Sequence, residues 1–257
     1  MKRQTLSIAI ATFNEEKNLP ICFDSVKDIA DEFVVVDGES KDRTVEVAKR
    51  YTQKIKVTTN KPVFHVNKQM AIDMATSDWV LQMDADETVS EELKKEIVSI
   101  LKSKKTADGY WIPRKNWFIG RFLMKGGQYP DYTLRLYRNG KGKLPQKDVH
   151  EQAVIDGEVG YLKNPLLHYP YEDFSSYIRK WNRYNNLLAT QIKDQLEGKS
   201  FLLKGFSAID YLLIKPIFWF LITYIRHKGF TDSWQGFVFS FFSSVRFQVS
   251  YIKFLLL

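Results

Sequence analysis

Two aspartates directly follow an apolar run in the first half of the chain. Residues 79–83 resemble a buried strand, and Asp84, Asp86 and Glu87 come next. Strand side chains alternate between two faces, so a regular extended geometry points Asp84 and Asp86 in the same direction. Two hard oxygen donors on one short segment suit Mg²⁺ or Mn²⁺, which take further ligands from phosphate oxygens. The motif therefore predicts a divalent-cation site; the alternative is that these acids only cap a helix that begins after Ser90, or face solvent.

Other polar residues occupy comparable positions near the ends of predicted strands or helices. They are Thr12, Asn14, Glu15, Asp37 and Lys68. The carboxyl ends of parallel strands meet at one edge of a sheet, where α/β proteins bind ligands. A nucleoside diphosphate fits such an edge, with Asp37 accepting a hydrogen bond from the base and Lys68 meeting a phosphate. A cation held by the two aspartates would stabilise the departing diphosphate. As the alternative, Asp37 is a helix cap and Lys68 a solvated helix residue.

The elements that must position these residues alternate between strand and helix. Apolar runs at 6–11, 33–37 and 79–83 predict strands, 54–58 predicts a short further strand, and the segments between them carry apolar residues at helical spacing. This order predicts an α/β fold with a mostly parallel sheet and helices on both faces. Beyond Gly109 the pattern changes to aromatic, strand-like pieces, and Asn139-Gly140 predicts a tight turn.

Four motifs in the first 90 residues resemble those of family-two inverting glycosyltransferases with the GT-A (Rossmann-like) fold. The motifs are Thr12-Phe13-Asn14-Glu15-Glu16, Val35-Val36-Asp37-Gly38-Glu39-Ser40 with Asp42 and Thr44, Asn67-Lys68 with Ala71, and Asp84-Ala85-Asp86-Glu87. The resemblance implies a nucleotide-sugar donor, usually a UDP-sugar, and Mg²⁺ or Mn²⁺ as cofactor. It assigns Asp37 to the base, and Asp84 with Asp86 to the sugar diphosphate and the metal. Glu39 departs from the family, because many members have a Gly-Ser pair directly after the acid, and this bears on the ribose contacts.

A narrower resemblance covers the later part of the chain. The segment 131–138, then Val149-His150-Glu151, and the stretch 215–236 are similar to lipopolysaccharide-core glucosyltransferases that add β-glucose to a heptose. This similarity implies transfer of glucose or a related hexose to a lipopolysaccharide-core or other lipid-linked envelope glycan. Capsule, O-antigen and polyprenyl-phosphate acceptors are the alternatives.

An inverting transfer is a single displacement, so it needs one base to take the proton of the acceptor hydroxyl. Glu151 is the candidate, with Asp148 and Asp131 as alternatives. His150 is expected to add a third contact to the metal or the diphosphate, as a neutral imidazole allows. A structural His150–Glu151 pair that closes a hairpin is the competing interpretation.

Two arginines of the predicted strand 132–138 are further candidates for binding the diphosphate. Arg135 and Arg138 point to opposite faces of a regular strand, so only one of them can reach the site. Arg138 is expected to be the more exposed of the two.

Charge is unevenly distributed along the sequence. Up to Gly109 there are 17 basic and 19 acidic residues, whereas the remainder has 21 basic and 11 acidic. Such a local excess predicts an anionic partner, and no nucleic-acid recognition motif is present, so a lipid headgroup or phosphorylated glycolipid is favoured. The single cysteine, Cys22, excludes an intrachain disulfide and is expected in the core. No signal peptide is recognisable, because Met1 leads directly into a strand-like run.

The last 57 residues differ in character from the rest. The apolar stretch 201–225 is interrupted by charges and Pro216, and its longest clean run of ten residues is short against the roughly 20 needed to span a bilayer. The pattern predicts amphipathic elements in a membrane interface, on the inner face of the cytoplasmic membrane. A helical cap packed on the catalytic domain or on a second copy of the chain, as in a homo-oligomer, is the alternative, and a spanning helix is less favoured.

The predicted organisation is a glycosyltransferase domain at 1–200, with a nucleotide-sugar half at 1–108 and an acceptor half at 109–200, followed by the membrane-proximal segment 201–257. Two rival functions stay open. A nucleotidyltransferase would carry a glycine-rich loop after the first strand, and none is present. A non-catalytic scaffold would keep the fold and the tail but not the acids.

Overall fold

A computed structural model describes residues 3–61, 65–145 and 152–257. The chain forms two compact units. The first comprises Met1–Arg114 with Asp131–His168, and the second Lys115–Pro130 with Tyr169–Leu257. Each unit therefore contains two separate segments of sequence. The boundaries at 108 and 200 that the sequence suggests stay a prediction about function.

The strands and helices are numbered in chain order. The strands are β1 Leu6–Thr12, β2 Glu32–Asp37, β3 Ile55–Val57, β4 Trp79–Met83, β5 Glu87–Val89, β6 Gly109–Phe118, β7 Arg121–Leu123, β8 Asp131–Arg138, β9 Gly142–Lys143, β10 Val154–Ile155, β11 Val159–Tyr161 and β12 Leu166–His168. The helices of the first unit are α1 Asn18–Asp24, α2 Thr44–Ala48, α3 His65–Asp73 and α4 Glu91–Lys102.

The main sheet confirms the predicted α/β architecture. Its order is β3-β2-β1-β4-β8-β6-β12-β5, and the first four of these strands are parallel. The second half adds strands mainly in antiparallel orientation, beginning with β8 beside β4. Thr12 and Asp37 are register partners at the carboxyl ends of β1 and β2. The parallel strands thus deliver their polar ends to one edge.

Side chains of the central strands alternate between two apolar layers. Leu6, Ile8 and Ile10 of β1 belong to the layer that includes α1, α2 and α4, whereas Ala9 packs in the layer of α3. Because both faces are covered, these strands carry apolar residues on both faces, as buried parallel strands do. Helices on both faces are therefore confirmed.

The start of α4 agrees with the sequence pattern, whereas the end of α1 does not. The Ser90 hydroxyl accepts a hydrogen bond from the Leu93 N–H at 3.2 Å, so Ser90 is the N-cap of α4, and this helix begins after Ser90 as predicted. Cys22 is fully buried in the core, as expected. Apolar residues at helical spacing continue along the sequence to Ile29, but α1 ends at Asp24, and the buried residues Val26 and Ile29 lie in the turns that follow.

The second unit consists of a β-hairpin and three long helices. The end of β6 pairs with β7, α5 spans Phe174–Leu196, the tail helix spans Phe201–Arg226 and the terminal helix spans Ser233–Leu255. A 3₁₀ turn at Gly229–Asp232 joins the last two. The Asp232 carboxylate accepts a hydrogen bond from the Lys125 N–H at 2.7 Å, which ties the hairpin to this turn. Gly236 approaches the Gly229 carbonyl too closely for any side chain to fit there.

The tail helix is continuous through the residues expected to interrupt it. Within the described part of the chain it is the one helix long and apolar enough to cross a membrane. Pro216 lacks the N–H that the carbonyl four residues earlier would accept. Gln248 of the terminal helix supplies the missing donor, with its Nε2 2.9 Å from the Leu212 oxygen. Two π-helical turns, Asp210–Ile214 and Leu221–Arg226, also occur in this helix.

Candidate active site

The loops that follow β1 and β2 are joined by reciprocal hydrogen bonds. The Asn14 N–H donates to the Ser40 hydroxyl at 2.8 Å, and the Asn14 Oδ1 accepts from the Lys41 N–H at 2.7 Å. The Glu15 N–H donates to the Thr44 hydroxyl at 2.7 Å. Asn14 adopts a left-handed conformation with φ of 57°, which Asn tolerates better than most residues. Two of the four sequence motifs therefore build one rigid platform.

Asp37 lies beneath this platform with no exposed surface. Its carboxylate accepts hydrogen bonds from the Ser40 N–H at 2.8 Å, the Ser40 hydroxyl at 2.6 Å and the Thr12 hydroxyl at 2.9 Å. Two carboxylate oxygens offer about four acceptor positions, so about one is left for a ligand N–H. Asp37 and Thr12 thus organise the turn in addition to any contact with a base, which stays a prediction.

Glu39 is the residue that departs from the family pattern, and the backbone there has φ of 62°. The left-handed region costs a side-chain-bearing residue about 1–2 kcal/mol, whereas glycine adopts it freely. Glu39 therefore occupies this backbone conformation with strain.

The two aspartates after β4 have different partners. The strand ends at Met83, and the segment through Asp86 forms a turn, so regular strand alternation does not extend to the aspartates. The Asp84 carboxylate contacts the Lys68 ammonium and lies 2.7 Å from the Arg135 Nη2. The Asp86 Oδ2 lies 3.4 Å from the His168 Nε2. Asp84 is therefore held by two cations of the protein, and Asp86 faces an imidazole.

Glu87 anchors the turn from within. Its side chain is fully buried, and its Oε2 accepts a hydrogen bond from the Asp84 N–H at 3.0 Å. Its Oε1 accepts from the guanidinium groups of Arg114 and Arg135, each at 3.3 Å. Sequence reasoning missed the roles of Glu87, Arg114 and His168, because the cross-strand contacts that define them cannot be inferred from local periodicity.

Charge pairing determines the ionisation of this cluster. Burial opposes ionisation of Asp84, but the nearby Arg135 and Lys68 outweigh it and hold the pKa of this carboxyl well below its usual range. Burial lowers the pKa of the Lys68 ammonium, against the attraction of Asp84. Burial and the neighbouring acids, Glu87 first among them, raise the pKa of the Cys22 thiol, so it stays protonated and is no nucleophile at neutral pH.

Arg138 lies at the wrong end of its strand to bind a diphosphate at this edge. The register pairs it with Trp79, the first residue of β4, whereas the aspartates follow the last. Its guanidinium donates to the Thr106 hydroxyl at 2.7 Å and lies 4.8 Å from the centre of the Trp79 ring. The expectation that Arg138 is more exposed than Arg135 is met, with 28% against 9% of the side chain accessible. Binding of the diphosphate by Arg138 stays a prediction that its position does not favour.

The candidate bases divide into two groups. Asp131 is described, and its carboxylate accepts hydrogen bonds from Arg114 Nη2 at 2.7 Å and Nε at 3.0 Å. Glu151, Asp148 and the candidate metal ligand His150 lie outside the described residues. Their roles stay predictions.

Comparison with known proteins identifies the family. The model of the family "Glycosyl transferase family 2" matches residues 7–184, which include both loops, Lys68, both aspartates and His168. The chain belongs to glycosyl transferase family 2. The resemblance of the four motifs is thereby confirmed, the fold is GT-A, and the protein is a glycosyltransferase.

Two relatives extend over most of this glycosyltransferase. It is 29% identical to the lipopolysaccharide core biosynthesis glycosyltransferase LpsC of Rhizobium meliloti, over 94% of this chain and 91% of LpsC. It is 31% identical to an uncharacterized glycosyltransferase of Rickettsia typhi, RT0209, over 91% of this chain and 80% of that protein. Among solved structures, S. aureus TarS 1–349 in complex with UDP is 17% identical with a TM-score of 0.49, covering 89% of this chain and 75% of TarS. The TarS likeness is too weak to support an argument about donor or acceptor.

Glycosyltransferases of this fold commonly use a divalent metal. Within residues 3–61, 65–145 and 152–257 no group of three His, Cys, Asp or Glu side chains is arranged to hold one. Asp86 and His168 nevertheless provide two donors close enough to bind one ion, and a carboxylate with an imidazole suits Mn²⁺ better than Mg²⁺. The residues present therefore fit a metal that completes its coordination with phosphate oxygens and water, with Asp84 turned toward the cations of the protein.

Proposed function

We propose that this glycosyltransferase moves a hexose, glucose or a close relative, from a UDP-sugar to a lipopolysaccharide-core or other lipid-linked envelope glycan, with inversion and with a divalent metal. The observation that supports it most is the convergence at one sheet edge. The carboxyl ends of β1, β2 and β4 present the Asn14 loop, Asp37 and the Asp84–Asp86 turn together. The similarity to LpsC along nearly the whole chain supports the acceptor class.

Each group in the proposed mechanism has one task. The remaining acceptor position of Asp37 takes the N–H of the uracil, and the platform of Asn14 and Glu15 brackets the nucleoside. Lys68 and Arg135 provide positive charge beside the diphosphate, and both are less than one-tenth exposed, which strengthens their interaction with it. Mn²⁺ or Mg²⁺, when bound beside Asp86 and His168, supplies stabilisation of the negative charge that develops on UDP.

The acceptor hydroxyl needs a base on the side opposite the leaving group. Glu151 is proposed for this role, with Asp148 and Asp131 as alternatives. Asp131 is the least favoured, because Arg114 donates two hydrogen bonds to its carboxylate.

We place the reaction at the inner face of the cytoplasmic membrane. The acceptor class is lipid-linked, and the tail helix and the terminal helix expose many large apolar side chains. Nucleic acid is not a partner in this proposal.

The first experiment measures donor turnover with purified protein. A panel of UDP-, GDP- and dTDP-sugars is incubated with Mn²⁺ or Mg²⁺, with and without chelator, and release of the nucleoside diphosphate is followed. We expect turnover of a UDP-hexose that depends on metal, and loss of it in Asp86→Ala. Turnover that is unaffected by chelator, or by Asp86→Ala, would contradict the metal-dependent mechanism.

A second experiment identifies the base. Glu151→Gln and Asp148→Asn are compared for transfer to extracted lipopolysaccharide-core acceptor and for UDP binding by calorimetry. The base variant should lose at least about 100-fold in transfer and retain its affinity for UDP. Glu158→Gln, which changes an exposed glutamate, is the matched control. If polyprenyl-phosphate or capsule acceptors are glycosylated instead, the donor half of the proposal stands and the acceptor is corrected.

A further inference from the structure

We infer that the second unit inserts into one leaflet of an anionic bilayer, with the tail helix lying parallel to the membrane plane and not across it. This deepens the proposed function, because it describes how the enzyme meets a lipid-linked acceptor, but it rests on its own observations. All of them lie within the second unit.

The tail helix carries a continuous exposed apolar stripe. Its members recur at intervals of three or four residues, which places them on one side of a helix. They are Leu202, Phe206, Ile209, Leu213, Ile217, Leu221 and Ile225, and each is between 51% and 73% exposed. Exposed apolar patches of this extent mark an interaction surface. With 26 residues at about 1.5 Å each, the helix is about 39 Å long, so the stripe could cover a long strip of membrane.

The start of the terminal helix extends this surface. Trp234, Phe237 and Phe241 recur at helical spacing and are 44% to 54% exposed. Phe237 packs 6.0 Å from the Phe220 ring and 5.7 Å from the Tyr224 ring of the tail helix, measured between ring centres. The two helices therefore share one apolar face.

The charge of the chain resides in the same unit. The first unit has 24 basic and 24 acidic residues, whereas the second has 14 basic and 6 acidic, so the whole net charge of +8 belongs to the second. Exposed basic residues stand at both ends of the tail helix, at Lys199, Lys204, Arg226 and Lys228. Each such residue near an anionic surface strengthens binding to it. An apolar face bordered by cations fits an anionic bilayer better than it fits a second copy of this equally basic unit.

The packing of the other helices argues against a spanning orientation. The terminal helix packs along the tail helix. Near the end of the terminal helix the Tyr251 ring lies 5.7 Å from the Tyr211 ring, and near its start Phe237 contacts Phe220. If the tail helix crossed the bilayer, the terminal helix would cross with it. Arg246, midway along the terminal helix, would then lie in hydrocarbon, where a charged side chain is strongly unfavourable.

The position of helix α5 beside the terminal helix also argues against a spanning tail helix. It packs along the terminal helix through the hydrogen bond from Trp181 Nε1 to the Phe242 oxygen, at 3.0 Å, and through Ile192 beside Tyr251. Its remaining surface carries the exposed charges Arg183 and Lys193. A spanning tail helix would also bring these residues into the bilayer. A parallel orientation instead leaves α5 in water and the apolar stripe in the leaflet.

Binding is tested by cosedimentation of the full chain with vesicles. We expect binding to vesicles of phosphatidylglycerol and phosphatidylcholine at least about tenfold tighter than to phosphatidylcholine alone, and weakened by salt. The double variant Phe206→Asp/Ile217→Asp should lose about tenfold or more of this binding. Thr190→Asp/Gln191→Asp, which adds the same two charges to exposed positions of α5, is the matched control and should bind nearly as wild type.

The orientation of the tail helix is tested by spin labels on single introduced cysteines. The native Cys22 does not compete for the label, because it is buried in the core of the first unit. Labels at Phe206→Cys, Ile217→Cys and Leu221→Cys should report equal depth in one leaflet, and a label at Thr190→Cys should stay in water. Depths graded from one headgroup region to the other would establish a spanning helix and overturn the inference. So would full vesicle binding by Phe206→Asp/Ile217→Asp.

Two further results separate this inference from the proposed function. A chain that ignores vesicles and dimerises in solution, with the dimer disrupted by Phe206→Asp/Ile217→Asp, overturns the membrane inference in favour of a second copy. Turnover of UDP-sugar in solution does not need the apolar stripe, so the same variant should retain it. Failure of vesicle binding with intact donor turnover therefore leaves the proposed function standing.

Discussion

His168, the last residue of β12, lies with its Nε2 3.4 Å from the Oδ2 of Asp86. The antiparallel pairing of β12 with β5 creates this contact, because it places His168 opposite Glu87, the neighbour of Asp86. The acidic turn thus gains a nitrogen donor from a distant part of the sequence, and the pair can be tested as a metal site.

His168→Ala should weaken Mn²⁺ binding by about tenfold or more, because it removes one of the two donors that the described residues provide. The measurement is electron paramagnetic resonance of free Mn²⁺ during titration of the protein in the presence of UDP. His227→Ala, which removes an exposed histidine of the second unit, is the control and should bind Mn²⁺ as wild type does. Unchanged Mn²⁺ affinity in His168→Ala, together with loss of affinity in Asp86→Ala, would exclude His168 as a ligand.

Arg135 and Arg138 belong to one strand but should differ sharply in their contribution to stability. Arg135→Met removes a positive charge beside the half-buried carboxylate of Asp84 and the fully buried carboxylate of Glu87, which should cost about 3–5 kcal/mol of unfolding free energy. Arg138→Met loses a partly exposed contact with Asp108 and the Trp79 ring, and should cost about 1 kcal/mol.

Urea unfolding measures both arginine variants, and UDP binding is measured on each at a temperature where it is folded. Arg138→Met should bind UDP as wild type does, since its position is at the opposite end of β4 from the aspartates. Equal costs for the two variants, or loss of UDP binding in Arg138→Met, would contradict the placement of these side chains.

Acid should destabilise the first unit in part through Glu32. Burial opposes ionisation of Glu32, but hydrogen bonds from Lys54, Ser7 and Thr76 outweigh it and lower its pKa to about 2. A folded-state pKa below the ordinary value of 4.5 means that the stabilisation is present above pH 4.5 and lost as the pH falls toward 2. We expect about 1–2 kcal/mol, because solvent screens part of the interaction.

Glu32→Gln should therefore show a smaller loss of unfolding free energy between neutral pH and about pH 3 than wild type. Glu46→Gln, at an exposed ion pair with Arg43, is the control and should keep the wild-type acid response. An acid response in Glu32→Gln as large as that of wild type would assign the effect to other carboxylates.

Gln248 should matter for stability only while Pro216 is present. Gln248→Leu leaves the Leu212 carbonyl without its donor, which should cost about 1–3 kcal/mol. In the double variant Pro216→Ala/Gln248→Leu, an N–H four residues after Leu212 becomes available, so most of that cost should be recovered. Thermal unfolding of the two single variants and the double variant gives the coupling energy. If the stability costs of the two single substitutions simply add in the double variant, the Gln248 side chain does not compensate for the N–H that Pro216 lacks.

Local sequence was sufficient to predict the parallel half of the fold. Strands such as β1 and β2 are apolar on both faces because both faces are covered, and this pattern is visible without any partner. The positions of Asp37 and of the Asp84–Asp86 segment followed from the same reasoning, since the end of each strand is marked by the change from apolar to polar residues. The family could likewise be identified from four motifs in order.

The tertiary structure decided everything that depends on which strand or helix lies beside another. The register of β8 on β4 places Arg135 at the acidic turn and Arg138 at the opposite end, although the two are three residues apart. The pairing of β12 with β5 brings His168 to Asp86, and Gln248 maintains a helix through Pro216. Periodicity reports which side of an element is apolar, but it contains no information about register or about a distant hydrogen-bond donor. Those relationships arise only when the chain packs.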